Sequence, residues 1–203
     1  MKKLISLAFF CLLLMPAQAQ ESVQAFLKHA IPNATPYDIR QVGDWAFCGL
    51  QYGTEGEGQA LIHRYGNGWE IATAGGGAIS AHEFAVYGVP RQQWEKLFNR
   101  TLGQEELAGA REAFSQPVWT WLTRDRTIKT DDLELYTALE LTLMRNEVFA
   151  VHGRVFNDPY LKALFATRTW YHPNPNFSEA SLSQRERANV NFISSYQKKT
   201  GKL

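Results

Sequence analysis

The stretch that decides the fold is residues 137–153, TALELTLMRNEVFAVHG, which carries the strongest helix pattern in the chain. Thr137 and Glu140 have the spacing of a capping box, in which a hydroxyl and a carboxylate satisfy the free amides of the first helical turn. Gly153 suits the end of the helix, because glycine adopts the left-handed backbone conformation without the steric cost of a Cβ. The sequence therefore predicts a helix between Thr137 and Gly153.

Apolar and polar residues divide this helix unevenly. Arg145, Asn146 and Glu147 are consecutive, and at about 100° per residue they cover roughly 200° of the helix surface. They therefore cannot all face one pocket. The apolar positions predict a helix whose first half is buried nearly all round; they are Leu139, Leu141, Leu143, Met144, Val148 and Val151.

Two more helices are predicted after Gly153. Asn157-Asp158-Pro159 is a helix-start signal, with Pro159 near the first helical position. Residues 170–175 (WYHPNP) form a stiff extended segment, since each proline fixes its own φ and biases its predecessor away from helix. Ser183 and Glu186 then offer a capping box for the last helix.

Several of these landmarks resemble the YARHG domain, a small helical module of bacterial exported proteins. The resemblance covers roughly residues 131–198 and departs from the family motif at two positions, Phe149 in place of Tyr and Val151 in place of Arg. The family has no established biochemical activity, so the resemblance implies a fold and a location but no reaction. The residues that carry it are residues 145–153 (RNEVFAVHG), Phe156, Trp170-Tyr171-x-Pro173 and Asn189-Val190.

Upstream of this region the pattern indicates a helix followed by strands. Residues 45–52 are apolar on both faces and predict a central strand, and Asn67-Gly68 between two apolar runs predicts a hairpin. The predicted fold class is α+β: an N-terminal helix, a small antiparallel sheet with following helices, and a C-terminal all-α YARHG-like three-helix unit. The predicted divisions are a signal peptide (1–19), an α+β unit (20–122), a linker (123–130) and the YARHG-like helical domain (131–203).

The first 19 residues have the features of a secretory signal peptide. Lys2 and Lys3 precede a twelve-residue apolar run, and Ala17-Gln18-Ala19 is a small-x-small cleavage site. We expect cleavage after Ala19, a periplasmic or extracellular location and no membrane-spanning segment in the mature chain. Only Cys48 then remains of the two cysteines, which excludes an internal disulfide and predicts a buried thiol.

Composition argues against several classes of function. Without Lys2 and Lys3 the chain has 19 basic residues against 20 acidic ones, so it offers no basic surplus for nucleic acid. No histidine has a zinc-ligand spacing, no nucleophile-elbow motif occurs, and the glycines at 75–77 match neither phosphate-loop pattern. The sequence therefore predicts no metal and no cofactor. His63 with Glu70 is a cross-strand pair if the hairpin register allows it.

Two groups of residues are candidate sites. The first is a polar network of Arg145, Asn146, Glu147, His152 and Asn189, which either ties the last helix to the central one or forms a pocket for a ligand; the structural reading is favoured. The second is an aromatic groove of Trp170, Tyr171 and His172, which either stacks on sugar or peptide or packs against the helices.

The sequence favours a non-catalytic role, binding or structural, at the bacterial cell envelope. The expected partner is a cell-wall component or another exported protein. The alternative is a hydrolase acting on cell-wall material, with its site in the N-terminal unit, where acidic residues such as Glu55, Glu57 and Glu70 are available but no pair stands out.

Overall fold

The computed structural model describes residues 21–203, so the predicted signal peptide lies outside the described residues. The fold is α+β, as predicted: one four-stranded antiparallel sheet is accompanied by helices on both sides of it in the chain. The elements in chain order are α1 Val23–Ala30, β1 Thr35–Val42, β2 Trp45–Tyr52, β3 Gly56–Tyr65, β4 Gly68–Gly76, α2 Ala81–Tyr87, α3 Trp94–Phe98, α4 Gln104–Gly109, α5 Glu112–Ser115, α6 Thr120–Thr123, α7 Ala138–Val151, α8 Pro159–Ala166 and α9 Gln184–Thr200.

The sheet has the strand order β1-β2-β3-β4, so β2 is a central strand as its apolar sequence predicts. Alternate residues of β2 enter two different hydrophobic clusters, with Trp45 and Phe47 on one face and Ala46 and Cys48 on the other. Cys48 is fully buried, and burial raises the pKa of its thiol to about 11. The prediction of a buried thiol is therefore confirmed.

Local sequence signals determine where α2, α7 and α9 begin and where α7 ends. Capping boxes form at the starts of α2, α7 and α9, where Ser80, Thr137 and Ser183 accept hydrogen bonds from first-turn amides. Gly153 follows α7 with φ +86°, and a Cβ there would lie 2.8 Å from the carbonyl oxygen of His172. Glycine is thus required twice at this position, for its backbone conformation and for the close approach of residues 172–174.

The helix α7 lies at the centre of the packing. Its first half is buried nearly all round. Each buried leucine there contributes on the order of 1.5–3 kcal/mol to the free energy of folding by leaving water. Thr137 Oγ1 also donates a hydrogen bond of 3.1 Å to the carbonyl of Ala72 in β4. One hydrophobic cluster extends from the inner face of the sheet to α9, through Phe47, Phe84, Leu141, Met144 and Ile193.

That cluster crosses residues 123–130, where Ile128 is itself buried. The division of the chain into units at 123–130 stays a prediction, since packing between two parts does not decide whether either part folds alone. None of the helices in residues 21–203 has the length and apolar character that spanning a membrane requires.

Glycine shapes two details of the fold. Residues 104–115 contain two short helices, because α4 ends at Gly109, a poor helix former, and α5 begins at Glu112. The strand β4 continues through the glycine run to Gly76, which pairs with Gly58 of β3. Glycine permits this pairing, because a Cβ on Gly58 would lie 2.2 Å from the carbonyl oxygen of Gly75.

Candidate functional site

The three consecutive polar residues of α7 point in different directions, as the helical period requires. Arg145 is half-buried at the surface, whereas Asn146 and Glu147 are buried. Asn146 Nδ2 donates to the carbonyl of Thr142 one turn back, at 2.8 Å. Each residue therefore has a separate environment, and only Arg145 and Asn146 border the same surface cavity.

Glu147 holds the chain just before α6 in place. Its carboxylate accepts hydrogen bonds from the amide of Val118, at 2.8 Å, and from the amide of Trp119. Burial raises the pKa of Glu147 to about 7, although these hydrogen bonds and the charge of Arg168 oppose the increase. Both carboxylate oxygens are thus occupied by backbone, which is the arrangement of a structural brace.

Arg168 is the buried cation that faces Glu147 across the core. Its guanidinium donates hydrogen bonds of 2.8 Å to the carbonyls of Ala85, Val86 and Ala113. Burial lowers its pKa to about 10, and the negative charge of Glu147 opposes that change. One small internal cavity is lined by both side chains, so each charge partly compensates the other in a region of low dielectric.

Asn189 on α9 is satisfied by a different segment. Its Oδ1 accepts from the amide of Ile128 at 3.0 Å, and its Nδ2 donates to the carbonyls of Thr123 and Arg126, each at 2.8 Å. The hydrogen bonds described for Asn189 therefore link α9 to residues 123–128 and not to α7.

His152 links the end of α7 to α9, and Gln197 of α9 also donates to Thr142 Oγ1 of α7 at 3.0 Å. The Nε2 of His152 lies 3.1 Å from Glu186 Oε1, which is also 3.1 Å from Arg124 Nε. Burial raises the pKa of Glu186, but hydrogen bonds from Ser183 and His152 outweigh this and hold the pKa below its usual value. The five predicted polar residues thus separate into several local contacts instead of one network.

A surface cavity of about 280 Å³, here called the arginine cavity, lies between α7 and α9. Arg145 and Asn146 line it from α7, Arg187 lines it from α9, and Arg154 and Glu179 line it from the connecting segments. Three guanidinium groups and a single carboxylate therefore border one concave surface. The sequence pattern indicates Arg145 and Asn146 as candidate site residues, but it carries no signal for Arg154 and Arg187.

The charges in the arginine cavity are incompletely paired. Arg154 Nη1 lies 3.7 Å from Glu179 Oε1, a loose contact with an exposed carboxylate, and Arg187 donates to the carbonyl of Leu182 at 2.9 Å. Arg145 makes no hydrogen bond or ion pair with any residue between 21 and 203. Burial and the neighbouring charge of Arg154 lower the pKa of Arg145. The cavity thus contains a partly desolvated cation beside a second cation.

Comparison with protein families identifies this part of the chain. Residues 116–198 match the YARHG domain. YARHG domains are small extracellular or periplasmic domains of unknown function, typically found in exported proteins. No curated protein and no solved structure matches the chain.

The YARHG match begins at Gln116, upstream of the resemblance that starts at Asp131. The additional segment contains the backbone groups that Glu147 and Asn189 hold, at residues 118–119 and 123–128. The buried side chains of Glu147 and Asn189 therefore find these partners within the matched YARHG region.

The predicted aromatic groove of the YARHG domain is largely packed. Trp170 and Tyr171 lie against the core, Tyr171 OH donates to the carbonyl of Arg154 at 2.8 Å, and Phe165 contacts both rings. His172 is exposed. Of the three side chains, only that of His172 is therefore exposed to a ligand, because the two aromatic rings pack against the core.

Proposed function

We propose that this protein is an exported, non-catalytic binding protein whose YARHG domain holds an anionic group of a cell-wall polymer in the arginine cavity. The observation that carries the proposal is Arg145, which is half-buried, lies beside Arg154 and has no counter-ion among the described residues. Removing a cation from water is unfavourable unless an opposite charge compensates it. A bound anion would supply that charge.

The chemistry of the cavity favours a carboxylate or phosphate. Guanidinium groups bind both through paired, charge-assisted hydrogen bonds. Phe149 forms part of the wall, and the Arg154 guanidinium lies 4.6 Å from its ring centroid. Because the guanidinium lies over the ring, its N–H edge stays available to a ligand. A volume of about 280 Å³ fits one such group and its neighbouring atoms.

The cell-wall assignment rests on the expected location. The predicted signal peptide and the occurrence of YARHG domains in exported proteins both favour the envelope. Wall polymers display carboxylates on their peptides and phosphodiesters on their anionic polymers, so both candidate groups are abundant there. A partner among the other exported proteins is the second expectation from the sequence. One result of the experiment below would favour it.

The raised pKa of Glu147 does not favour the hydrolase alternative. A carboxyl with a pKa of about 7 would suit acid–base catalysis. However, burial accounts for the shift, and both oxygens already bind backbone amides. A catalytic carboxyl needs access to substrate, which this one lacks.

The test is co-sedimentation of residues 20–203 with purified sacculi at physiological salt. The Arg145→Gln variant removes the unpaired charge and keeps most of the side-chain volume. Arg111→Gln is the matched control, because Arg111 is exposed and lies outside the arginine cavity. We expect Arg145→Gln to reduce the pelleted fraction at least tenfold at subsaturating protein, with Arg111→Gln equal to the wild type.

Three results would overturn the proposal. Equal pelleting of Arg145→Gln and wild type would remove the arginine cavity as the site. Failure of the wild type to pellet would remove wall binding and direct the search to exported proteins by cross-linking. Release of soluble wall fragments during incubation would favour the hydrolase.

A further inference from the structure

A second cavity, here called the aromatic cavity, lies where one end of the sheet meets the start of α8. Its volume is about 720 Å³, within the range of small-molecule sites in proteins. Trp45 of β2, His63 and Tyr65 of β3, and Tyr160 of α8 all line it. Of these residues the sequence indicates only His63, through its expected pairing with Glu70, and that pair is in register with its side chains 3.2 Å apart.

The four rings form one continuous wall. His63 lies between Trp45 and Tyr160, with ring centroids 4.3 Å and 4.4 Å away. Tyr65 extends the wall, at 6.1 Å from His63 and 6.2 Å from Tyr160. Each ring is positioned by its element, since β2 and β3 pair Trp45 with His63 and side chains two residues apart on a strand share a face.

Polar side chains line the cavity beside the rings. Gln93 is one of them, although its Oε1 is buried and has no partner among the described residues. His63 Nδ1 contacts Glu70, a partner that favours the proton on Nδ1 and leaves Nε2 as an acceptor. Asp44 is exposed at the rim.

The charges around the cavity disfavour an anion. Asp44 and Asp158 are both acidic, and like charges repel a phosphate or carboxylate. Arg64 also borders the cavity, but its guanidinium lies 4.3 Å from the ring centroid of Trp69, which belongs to the cluster on the opposite face of the sheet. The electrostatic character is therefore opposite to that of the arginine cavity.

From this geometry we propose that the aromatic cavity binds a neutral sugar. The C–H face of a pyranose ring packs on the exposed Tyr65 end of the wall, and its hydroxyl groups donate to the Asp44 carboxylate at the rim. A nucleotide would place phosphate beside Asp44 and Asp158. This inference stands independently of the proposed function, because it uses none of the residues of the arginine cavity.

The test uses isothermal titration calorimetry of residues 20–203 with three neutral trisaccharides, built from N-acetylglucosamine, β-linked glucose and α-linked glucose. Ala163 lines the cavity and is exposed on α8, so Ala163→Trp fills the cavity without disturbing the core. Ala166→Trp is the matched control, since Ala166 is exposed on the same helix and lies outside the cavity. Circular dichroism verifies that both variants are folded.

We expect the wild type and Ala166→Trp to bind at least one trisaccharide saturably, and Ala163→Trp to bind it at least tenfold more weakly. Asp44→Asn should weaken binding several-fold. Absence of saturable binding to all three sugars would overturn the proposal. Equal affinity of Ala163→Trp and Ala166→Trp would do so as well.

Discussion

The inner and outer sides of α7 carry opposite charges two residues apart. The environments of these two charged side chains differ. Glu147, on the inner side, is buried, and its two oxygens bind the amides of Val118 and Trp119. Arg145, on the outer side, is half-buried, and no residue between 21 and 203 pairs with it. A polar group with every hydrogen bond made is part of the scaffold, whereas one left unpaired at a cavity is available to a ligand. The difference separates structural from binding residues within a single motif.

The largest effect is expected from a truncation that removes the segment in contact with the inner side of α7. Residues 131–203 alone lack the partners of both Glu147 and Asn189, so we expect this fragment to show no cooperative thermal unfolding by circular dichroism. Residues 20–203 are the comparison and should unfold cooperatively. A sharp transition in the fragment would mean that the scaffold is complete without residues 116–130.

Replacing Glu147 should be the most damaging single change on α7. Glu147→Ala leaves the amides of Val118 and Trp119 unsatisfied and the buried charge of Arg168 uncompensated. We expect a loss of about 3–5 kcal/mol in the free energy of unfolding, measured by urea denaturation. Glu134→Ala, on an exposed residue, should change it by less than about 0.5 kcal/mol. Similar losses in both variants would contradict the role of Glu147 as a brace.

The pH dependence of stability gives a third test. The pKa of Glu147 is raised from 4.5 to about 7 in the folded state, so the native protein binds this proton more tightly than the unfolded chain does. Its contribution is complete below pH 4.5 and is lost as pH rises toward 7, at up to about 1.4 kcal/mol per pH unit.

The measurement is the difference in unfolding free energy between wild type and Glu147→Gln, because the other titrating groups cancel. We expect the wild type to lose stability relative to the variant between pH 4.5 and 7. A constant difference across that interval would show that Glu147 titrates normally and is solvated.

A smaller effect is expected at Asn189. Asn189→Ala orphans the amide of Ile128 and the carbonyls of Thr123 and Arg126. We expect a loss of about 1–3 kcal/mol, seen as a lower melting temperature. Asn191→Ala, on an exposed position of the same helix, is the control. An unchanged melting temperature in Asn189→Ala would place its side chain in solvent.

The smallest effect belongs to the outer side of α7. Arg145→Gln should leave the free energy of unfolding within about 0.5 kcal/mol of the wild type, or raise it slightly, because it removes repulsion with Arg154. Differential scanning calorimetry at low salt is the most sensitive measurement. Destabilisation by more than about 1 kcal/mol would mean that Arg145 has a structural partner, and the contrast with Glu147 would disappear.

Features set by neighbouring residues were predictable from the sequence. The capping boxes at Thr137 and Ser183 depend on residues three positions apart, and the central position of β2 follows from its uninterrupted apolar run. The partners of Glu147 and Asn189 were not predictable, because they are backbone groups far away in the chain and backbone groups leave no signature in the sequence. Arg145 was recognised as a candidate, but nothing at Arg154 or Arg187 indicated that the three would share a cavity.

Gly153 has a consequence for the resistance of residues 170–175 to proteolysis. Its carbonyl accepts a hydrogen bond of 2.7 Å from the amide of Asn174, and the absence of a Cβ lets that chain lie directly against the end of α7. An irregular, proline-containing surface segment would ordinarily be a preferred site for proteases. Here it is held at two places, at the Asn174 amide and at the packed rings of Trp170 and Tyr171. The segment should therefore resist proteases, and a larger residue at 153 should make it easier to cleave by displacing residues 172–174.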